Sequence, residues 1–576
     1  MTKMIILALF LLNCVLNEEI YDSAHRLVLK DGESKIDGEL LTDTPNKGVS
    51  IHDGENIVHY EKEYAEISGY GEATEESEKH SKEDCNKEKL VKISQSGVYI
   101  VSGTLKGQLA IELSSKTDNT QTVTLVLNGI NINCNVAPGL IFYTAYEIDS
   151  NDYEDSGSSI SYTTANSLNF DKAGAKIIIA DDSTNTVTGS HVAKCYEYDV
   201  NDDNTITIKS KKRAKYDGAF YSRVSISIKG ETKGNGKLNI IGDNEGLDSE
   251  KHLLIESGNI NIASQDDGIN TSEDNGSVTL IKGGTLTING GLGSEGDGID
   301  SNGYLIINGG TIISAGKPAS DSGMDADLGV VINGGNVVGV GSTMDGASSS
   351  SGQPTVNLKF SSQISKSSTL KIKDSSGENI YTFNPSSSGF LEGTDIRTYQ
   401  GAIISLPSFK LNEVYYLYLD DTQLGYSGQE GQNMPGNPQG KDNNGNPGVP
   451  PENGGQNNNS DNPGNPLNNE GKNTNNSDNP RTQPDNEGPN NNGGNPGTPP
   501  NNEGNNNGQS TGTNSMTKEF KLTSSATTFS GVGAYVESSS NTSDENISDE
   551  NKSDKNPGRY ISFCFENFLS LLMLLL

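Results

Sequence analysis

Aromatic and apolar residues are scarce in this chain of 576 residues. Trp is absent, aromatic residues make up 6% of the chain, and hydrophobic residues make up only 31%. Because a packed core needs apolar side chains, much of the length does not contribute to one. Lys and Arg number 42 against 76 Asp and Glu, a formal net charge of −34. That charge repels phosphate backbones and anionic membrane surfaces, so nucleic acid is not an expected partner and cations are favoured.

Cysteine is too sparse to organise the fold through disulfides. Of the five cysteines, Cys14 and Cys564 fall in terminal apolar segments, which leaves Cys85, Cys134 and Cys195 in the body. Three cysteines allow one bridge at most, and the sequence does not select the pair. Their spacing matches no zinc site. The sequence also lacks His pairs at metal-ligand spacing, a nucleophile elbow and a phosphate-binding loop.

Both ends of the chain are apolar. An apolar run behind a lysine predicts a secretory signal peptide at residues 1–17, so we expect a secreted or surface-displayed protein. The apolar tail at 559–576 has too few clean apolar residues to cross a bilayer as a helix. A GPI-anchor signal with Ser548 or Ser553 as attachment site, a short membrane segment and an incidental tail all fit this end, so membrane attachment stays open.

Composition divides the rest of the chain into five segments. We predict a polar, loosely ordered leader at 18–84, a β-rich body at 85–353, a small β cap at 354–426, a disordered Asn/Gly/Pro-rich linker at 427–514 and a polar tail with a short strand at 515–558. The linker has almost no apolar residues, so burial cannot offset the entropy of ordering it. Within the body, the charged stretches Asp149 to Asp155 and Tyr196 to Lys215 are predicted surface loops.

Four units between residues 236 and 346 repeat every 25 or 26 residues, each marked by a doublet that ends in Gly. Three apolar columns recur at fixed distances from Gly258, Gly284, Gly310 and Gly335: Ile255, Ile281, Ile307 and Ile332; Leu253, Thr279, Leu305 and Val330; Ile260, Leu286, Ile312 and Val337. Residues two apart share one face of a strand, so each unit predicts short strands that turn at the Gly. This period without helices predicts an all-β, right-handed parallel β-helix, a solenoid that ends in the β cap.

Each repeat also carries an acidic turn at a matched place. The predicted metal ligands are Asp243, Glu245, Asp248, Asp266, Asp267, Asn270, Glu295, Asp297, Asp300, Asp321 and Asp325. Stacked in a solenoid, such carboxylates stand about 5 Å apart and repel one another unless a counter-ion joins them. Calcium takes six to eight oxygen ligands and is the predicted cofactor. The alternative is that these are solvated turn residues, since Asp and Asn favour turns.

Two glycosylation sequons, Asn270-Thr-Ser and Asn275-Gly-Ser, lie in the same stretch. A glycan on Asn270 would compete with its use as a metal ligand.

Several segments share recurring Asp-Gly-Ile-Asp and Asn-Gly-Gly patterns: Tyr216-Asp-Gly-Ala-Phe-Tyr-Ser222, Gly246-Leu-Asp-Ser249, Asp267-Gly-Ile-Asn270, Asp297-Gly-Ile-Asp-Ser301 and Leu305-Ile-Ile-Asn-Gly-Gly-Thr-Ile312. Over residues 85–425 the chain resembles the carbohydrate-binding domain family of pectate-lyase-like β-helix proteins, typified by a clostridial cell-surface protein. The resemblance implies a pectate-lyase-like solenoid, binding of cellulose and acidic pectic sugars, and calcium among the Asp-rich turns. Carried over by position, the acidic turn residues would be the calcium ligands.

We therefore predict a monomer that binds plant cell-wall type polysaccharide, cellulose or acidic pectic sugars, with calcium bridging protein carboxylates to uronate groups. The sugar-contacting residues are not identified, although Tyr143, Tyr146 and Tyr221 are candidates. The alternative is a structural adhesin that calcium stiffens and that has no sugar site.

A polysaccharide lyase is a further alternative, but it needs a base, usually Arg or Lys, beside the metal. The basic residues near the acidic turns are Lys251, Lys282, Lys317 and Arg223, and no two form a convincing pair. We therefore expect that the protein is not an enzyme.

Overall fold

A computed structural model describes residues 21–57, 82–192, 197–200, 206–210, 216–343, 345–391, 398–430 and 516–536. The predicted signal peptide, the linker beyond residue 430, the apolar C-terminal tail and Cys195 lie outside these ranges. Across the described ranges, no helix combines the length and apolarity needed to cross a bilayer.

The described protein is nearly all β, with a few helices of a single turn. The strands are β1 His25–Leu29, β2 Lys35–Ile36, β3 Glu39–Leu40, β4 Val49–Asp53, β5 Lys89–Ile93, β6 Gly97–Glu112, β7 Val123–Asn133, β8 Leu140–Thr144, β9 Ala175–Ile179, β10 Thr184–Gly189, β11 Glu197–Val200, β12 Ile206–Ser210, β13 Gly218–Ser222, β14 Ile226–Gly230, β15 Lys237–Gly242, β16 Glu245–Ser249, β17 His252–Ile255, β18 Asn259–Ser264, β19 Ile269–Thr271, β20 Val278–Ile281, β21 Thr285–Asn289, β22 Ile299–Ser301, β23 Tyr304–Ile307, β24 Thr311–Ala315, β25 Gly329–Ile332, β26 Asn336–Gly341, β27 Thr355–Ile364, β28 Leu370–Lys373, β29 Asn379–Phe383, β30 Tyr399–Ser405, β31 Val414–Leu419, β32 Thr422–Gly425, β33 Gly428–Glu430, β34 Phe520–Lys521 and β35 Ala526–Ala534. The short α-helices are Lys82–Cys85, Tyr153–Ser156 and Tyr162–Ala165, and the 3-10 turns are Gly54–Asn56, Phe170–Lys172 and Pro385–Ser387. Among the described strands, β11 and β12 form a separate antiparallel pair, and the others join one large sheet of mostly parallel pairings that is not closed.

The four repeats predicted from the sequence stack in parallel register. Along β17, β20, β23 and β25, the four isoleucines Ile255, Ile281, Ile307 and Ile332 lie directly opposite one another. The column from Ile260 to Val337 is aligned in the same way along β18, β21, β24 and β26. These side chains are 0–1% exposed, so they form the core between the strands. The predicted apolar columns are confirmed.

The Gly that ends each doublet adopts a conformation that other residues avoid. Gly258, Gly284, Gly310 and Gly335 have φ between +99° and +119°. A Cβ on Gly284 would lie only 2.8 Å from the carbonyl oxygen of Gly258 in the previous repeat. Both the positive φ and the close approach therefore require Gly at this turn.

The N-terminal residues 21–57 contain the four strands β1 to β4, so the prediction of a loosely ordered leader is wrong for this part. Strand β1 pairs in parallel with β6, and β4 pairs antiparallel with β5. Leu27, Leu29 and Ile36 are buried in the main core. Leu27 and Leu29 are two residues apart and share one face of β1, whereas Val28 between them is exposed. Pairing with β6 places β1 against the surface that buries this face.

Residues 145–172, here called the strap, run over the outer face of the stacked strands. Asp149 and Tyr153 are 7% exposed, so the prediction of a surface loop from Asp149 to Asp155 is wrong at these positions. The strap side chains Tyr153, Ile160, Ala165 and Phe170 pack on Leu254, Val278, Leu280 and Ile306. The second predicted loop, Tyr196 to Lys215, contains the hairpin of β11 and β12, and its remaining residues lie outside the described ranges.

The C-terminal strands form a second apolar cluster beside the stack. Strand β30 pairs antiparallel with both β26 and β27, and β35 joins β27 in parallel after the long linker. Phe360, Phe383, Tyr399, Phe520 and Phe529 are buried in this cluster. The strands from β27 onward thus cover the end of the stack with antiparallel pairing, and residues 520–534 contribute to the same layer.

Candidate metal centre

The acidic turns stand side by side because their strands are paired. In β16, β19 and β22, Asp248, Asn270 and Asp300 lie directly opposite one another. The backbone N–H of Asp325 donates to the carbonyl of Ile299 at 2.8 Å, which adds Asp325 to the same column. We call Asp248, Asn270, Asp300 and Asp325 the outer acidic column. Its side chains alternate with the buried Leu247, Ile269 and Ile299, which face the core.

Three carboxylates converge at the C-terminal end of this column. Each of Asp297, Asp300 and Asp325 offers one oxygen, and these three oxygens lie within 4.8 Å of one another. Asp297 is 9% exposed, while Asp300 and Asp325 are half-buried. The side chain of Asp297 also accepts the N–H of Ser322 at 2.5 Å, which fixes its position. We call these three residues the acidic cluster.

Asp267 joins the acidic cluster to the preceding repeat. Its carboxylate accepts the backbone N–H of Asp297 at 2.6 Å. Burial raises the pKa of Asp267 well above its usual range, and the charges of Asp300, Glu245 and Asp266 raise it further. Burial also raises the pKa of Asp297, to about 10, together with the charges of Asp267, Asp300 and Asp325. Burial and the neighbouring charges therefore favour the protonated form of both carboxyl groups, and a bound cation would favour the charged form.

The preceding repeat brings together a second group of oxygens. Glu245 and Asp248 are 4% and 2% exposed, and burial with the charge of Asp217 raises the pKa of Asp248 well above its usual range. The amide nitrogen of Asn270 donates to Glu245 Oε1 at 3.0 Å. Asn270 Oδ1 is buried and has no hydrogen-bond partner within the described part of the chain. An amide oxygen in this state is a ligand that calcium accepts, so this donor set fits the ion.

Four predicted ligands have other surroundings. Asp243 accepts hydrogen bonds from Ser190 Oγ at 2.6 Å and from the N–H of His191 at 3.1 Å. Asp321 accepts the N–H of Gly296 at 2.9 Å and so holds the neighbouring turn. Glu295 is exposed, and Asp266 is half-buried and close enough to raise the pKa of Asp267. Asp243 and Asp321 therefore have backbone-supporting contacts, which sequence spacing did not distinguish from ligand positions.

Two acidic residues beside the predicted ligands were missed by the sequence reasoning. Asp217 is 7% exposed, and its charge raises the pKa of Asp248. Asp345 Oδ2 accepts a hydrogen bond from Ser322 Oγ at 2.6 Å. Both precede a glycine, as Asp267 and Asp297 do. This Asp-Gly doublet was a signal in the sequence that could have identified them.

Three of the four basic residues near the acidic turns, Arg223, Lys251 and Lys317, donate to acceptors of the protein. Arg223 Nε donates to both oxygens of Glu250, at 3.0 and 3.3 Å. Lys251 donates to Glu273 and to the carbonyl of Asn151, and Lys317 donates to the carbonyl of Gly293. Among the candidate tyrosines, Tyr221 is 2% exposed and donates to Glu250, so it does not offer a ring to a ligand.

The fold and the site together define the class of protein: a nearly all-β protein of stacked, mostly parallel strands with a column of acidic residues along one side. A family model for carbohydrate-binding domain-containing proteins matches residues 87–151 and 152–378, about half of the chain. The chain belongs to this carbohydrate-binding domain-containing family.

Comparison with solved structures finds similarity to one titled as the polysaccharide lyase-like protein from C. thermocellum, in a gadolinium derivative. The identity is 22%, the match covers 54% of this chain and 92% of that chain, and the TM-score is 0.30. None of the curated proteins matches the chain.

Proposed function

We propose that the protein binds acidic polysaccharide through calcium held at the acidic turns. The observation that supports this most directly is the acidic cluster, in which oxygens of Asp297, Asp300 and Asp325 lie within 4.8 Å of one another. Carboxylates this close repel one another, and a divalent cation between them removes that cost. Membership of the carbohydrate-binding domain family supports a polysaccharide as the partner.

We further propose that the stacked strands form a right-handed parallel β-helix. Its support is the pairing of each strand with the corresponding strand of the next repeat, in parallel and in register, from β14 to β26. Such stacking repeats the carboxylates at the spacing of neighbouring strands, about 4.8 Å. A linear polymer with a carboxylate on each sugar can then meet several protein carboxylates along one line.

A calcium ion can bridge carboxylates of the protein and carboxylates of the sugar, which would otherwise repel one another. Asp300 and Asp325 are half-buried, so an ion between them keeps one side toward solvent. Calcium accepts six to eight oxygens, more than the three of the acidic cluster, and uronate or water oxygens would complete its shell. Asp297, Asp300 and Asp325 would hold the ion, and the N–H of Ser322 fixes the position of the Asp297 carboxylate.

The test is retention of the full-length protein on pectate gel and on cellulose, in calcium and in chelator. We expect retention on pectate in calcium, loss of it in chelator, and at least tenfold weaker retention for Asp300→Ala and Asp325→Ala. Glu295→Gln is the matched control, because this exposed acid lies in the same turn outside the acidic cluster. Equal retention with and without calcium would contradict the bridging mechanism, and no retention on either polymer would contradict polysaccharide binding.

The second candidate function is a surface adhesin that calcium stiffens, and the burial of the acidic residues favours it. Asp248 and Asp297 are only 2% and 9% exposed, so an ion bound at either residue would lie deep in the stack and would join repeats without reaching a sugar. In that case calcium raises the melting temperature of the protein while neither polymer retains it. Both candidates agree with secretion or display at the cell surface, which the predicted signal peptide implies.

We propose that the protein is not a lyase. A lyase needs a basic side chain beside the metal that can take a proton from the sugar. Arg223, Lys251 and Lys317 each donate to acceptors of the protein, which opposes that role. Release of unsaturated sugar from pectate, measured by absorbance in calcium, would overturn this part of the proposal.

A further inference from the structure

Of the glycosylation sequons in the chain, those at Asn270 and Asn275 lie five residues apart in sequence but have very different surroundings. Asn270 lies in strand β19 and is 9% exposed. Its amide nitrogen, the atom that a glycan would modify, donates to Glu245 Oε1 at 3.0 Å. The residues opposite it in the neighbouring strands are Asp248 and Asp300. A sugar on this nitrogen would break the hydrogen bond and would have to displace both neighbouring strands.

Asn275 lies instead at the tip of a turn. The N–H of Gly276 and the N–H of Ser277 both donate to the carbonyl of Glu273, at 3.2 and 3.1 Å, which closes the turn around Asn275. Asn275 has φ of +58°, a left-handed conformation that Asn tolerates better than most residues. Its side chain is partly exposed, and within the described ranges its amide makes no hydrogen bond. The amide nitrogen is therefore available without any loss of contacts.

The backbone of this turn is also held in place. The carbonyl of Asn275 accepts the N–H of Ile160 from the strap at 2.9 Å, and Asp274 accepts the amide of Asn302 at 2.9 Å. These contacts fix the backbone on either side of Asn275, and neither of them uses the Asn275 side chain, which is partly exposed. A bulky modification at this side chain leaves the surrounding hydrogen bonds intact.

We propose that Asn275 is a site of N-linked glycosylation and that Asn270 remains unmodified in the folded protein. The amide nitrogen of Asn275 forms a bond to the anomeric carbon of a lipid-linked oligosaccharide. The bond from that carbon to the diphosphate oxygen breaks, the lipid diphosphate leaves, and the amide proton passes to a base of the transferase. The reaction requires a secretory compartment that contains this transferase, and it does not depend on calcium or on polysaccharide binding.

Folding of the chain selects which of these two sequons carries a glycan in the secreted protein. The transferase acts before the repeats have stacked, so both sequons are accessible to it at that stage. A chain that receives an oligosaccharide on Asn270 cannot bury that amide, because the interior has no room for a sugar. A chain modified on Asn275 folds normally. Of these two sequons, the folded, secreted protein therefore carries a glycan on Asn275 and none on Asn270.

The experiment is peptide mapping of the full-length protein secreted by a eukaryotic host. Cleavage after Glu273 separates the two sequons into different peptides. Enzymatic deglycosylation in heavy-oxygen water marks each formerly modified Asn as a labelled Asp. We expect the label at Asn275 and unmodified Asn270. A label at Asn270, or an unmodified Asn275 in the secreted protein, would overturn the proposal.

Two variants give an independent reading from the intact mass. Asn275→Asp removes the second sequon while keeping a residue that tolerates the left-handed turn, and the mass should fall by one oligosaccharide. Ser272→Ala removes only the first sequon, and the glycan mass should stay unchanged. A loss of glycan mass in Ser272→Ala would contradict the assignment.

Discussion

Asp297 lies almost buried between three other carboxylates. Burial and the charges of Asp267, Asp300 and Asp325 raise its pKa to about 10, so in the metal-free protein this group holds a proton at neutral pH. Calcium must displace that proton in order to bind. The same residue is therefore electrically neutral without the ion and a negative ligand with it.

The variant Asp297→Asn separates these two states. We expect its metal-free free energy of unfolding to change little at pH 7, since the amide resembles the protonated acid. The stabilisation by calcium, about 2.7 kcal/mol at a hundredfold excess over Kd, should fall in the variant. Denaturant titration with and without calcium measures both quantities. Wild-type calcium stabilisation in Asp297→Asn would show that Asp297 is not a ligand, and Glu295→Gln serves as the unchanged control.

Asp149 shows the opposite pKa shift at the start of the strap. Burial alone would raise its pKa, but hydrogen bonds from His252, the N–H of Asn151 and Tyr153 outweigh burial and hold the pKa at about 2. His252 is fully buried in strand β17, and its Nε2 lies 3.4 Å from Asp149 Oδ2. The charged form of Asp149 thus ties the strap to the stacked strands.

This shift predicts a loss of stability in acid. Because the folded-state pKa of Asp149 lies below its unfolded value of 3.8, the contribution is complete above about pH 4 and is lost as the pH falls through about 2. Its size is on the order of 1–2 kcal/mol. Urea unfolding of wild type and Asp149→Asn should show a wild-type advantage at pH 5 that shrinks at pH 2. A constant difference across this range would contradict the assigned role.

At the scale of the element, the turn at the end of each Gly doublet decides whether neighbouring repeats can approach. Gly284 has φ of +99° and lies against the backbone of the previous repeat, whereas Gly129 has φ of +80° with nothing within 4 Å of a Cβ. A residue other than Gly would be strained at both positions, but only at Gly284 would its Cβ also collide with a neighbouring backbone.

Replacement by Ala separates strain from steric contact. Both Gly284→Ala and Gly129→Ala should lose about 1 kcal/mol or more through the positive φ. Gly284→Ala should lose a further 1–3 kcal/mol, approximately, because the new Cβ forces the backbone away from Gly258. Thermal or chemical unfolding measures the difference. Equal losses in the two variants would indicate that the doublet is needed for its dihedral angles alone.

At the scale of the whole molecule, the C-terminal strand β35 closes the exposed side of β27. The two strands pair in parallel from Thr355 to Phe360, although the linker separates them in sequence. Phe520 and Phe529 are 0–1% exposed and pack on Tyr426 at centroid distances of 5.0 and 4.7 Å. Without these residues, an unpaired strand edge and an apolar surface would face solvent.

A truncation pair tests this closure. A chain that ends at residue 514 lacks β34 and β35, and we expect it to self-associate or to lose several kcal/mol of stability, at least about 3, from the lost aromatic packing. A chain that ends at residue 536 keeps both strands and should behave as the full-length protein. Light scattering and unfolding measure the outcome. Identical behaviour of the two truncations would show that β35 is dispensable.

The parts of the fold that were predictable from the sequence are those in which short-range pattern and long-range pairing agree. The columns of Ile255 and Ile260 recur once per repeat, so local alternation and the stacking register point to the same inward face. The strap shows the reverse. Its stretch from Asp149 to Asp155 is polar and reads locally as a loop, and Tyr153 is buried only because Leu254 and Val278 lie opposite it in the folded chain.

The candidate site likewise has one part that the sequence predicted and another that it did not. The sequence by itself determined which residues align, since the repeat fixes the register that places Asp248, Asn270 and Asp300 in one column. Only the tertiary structure decided which acids meet: Asp297, Asp300 and Asp325 converge, whereas Asp243 and Asp321 hold neighbouring backbone. The physical reason is that register is set by the period of the chain, while side-chain distance and burial depend on how loops of different length turn between the paired strands.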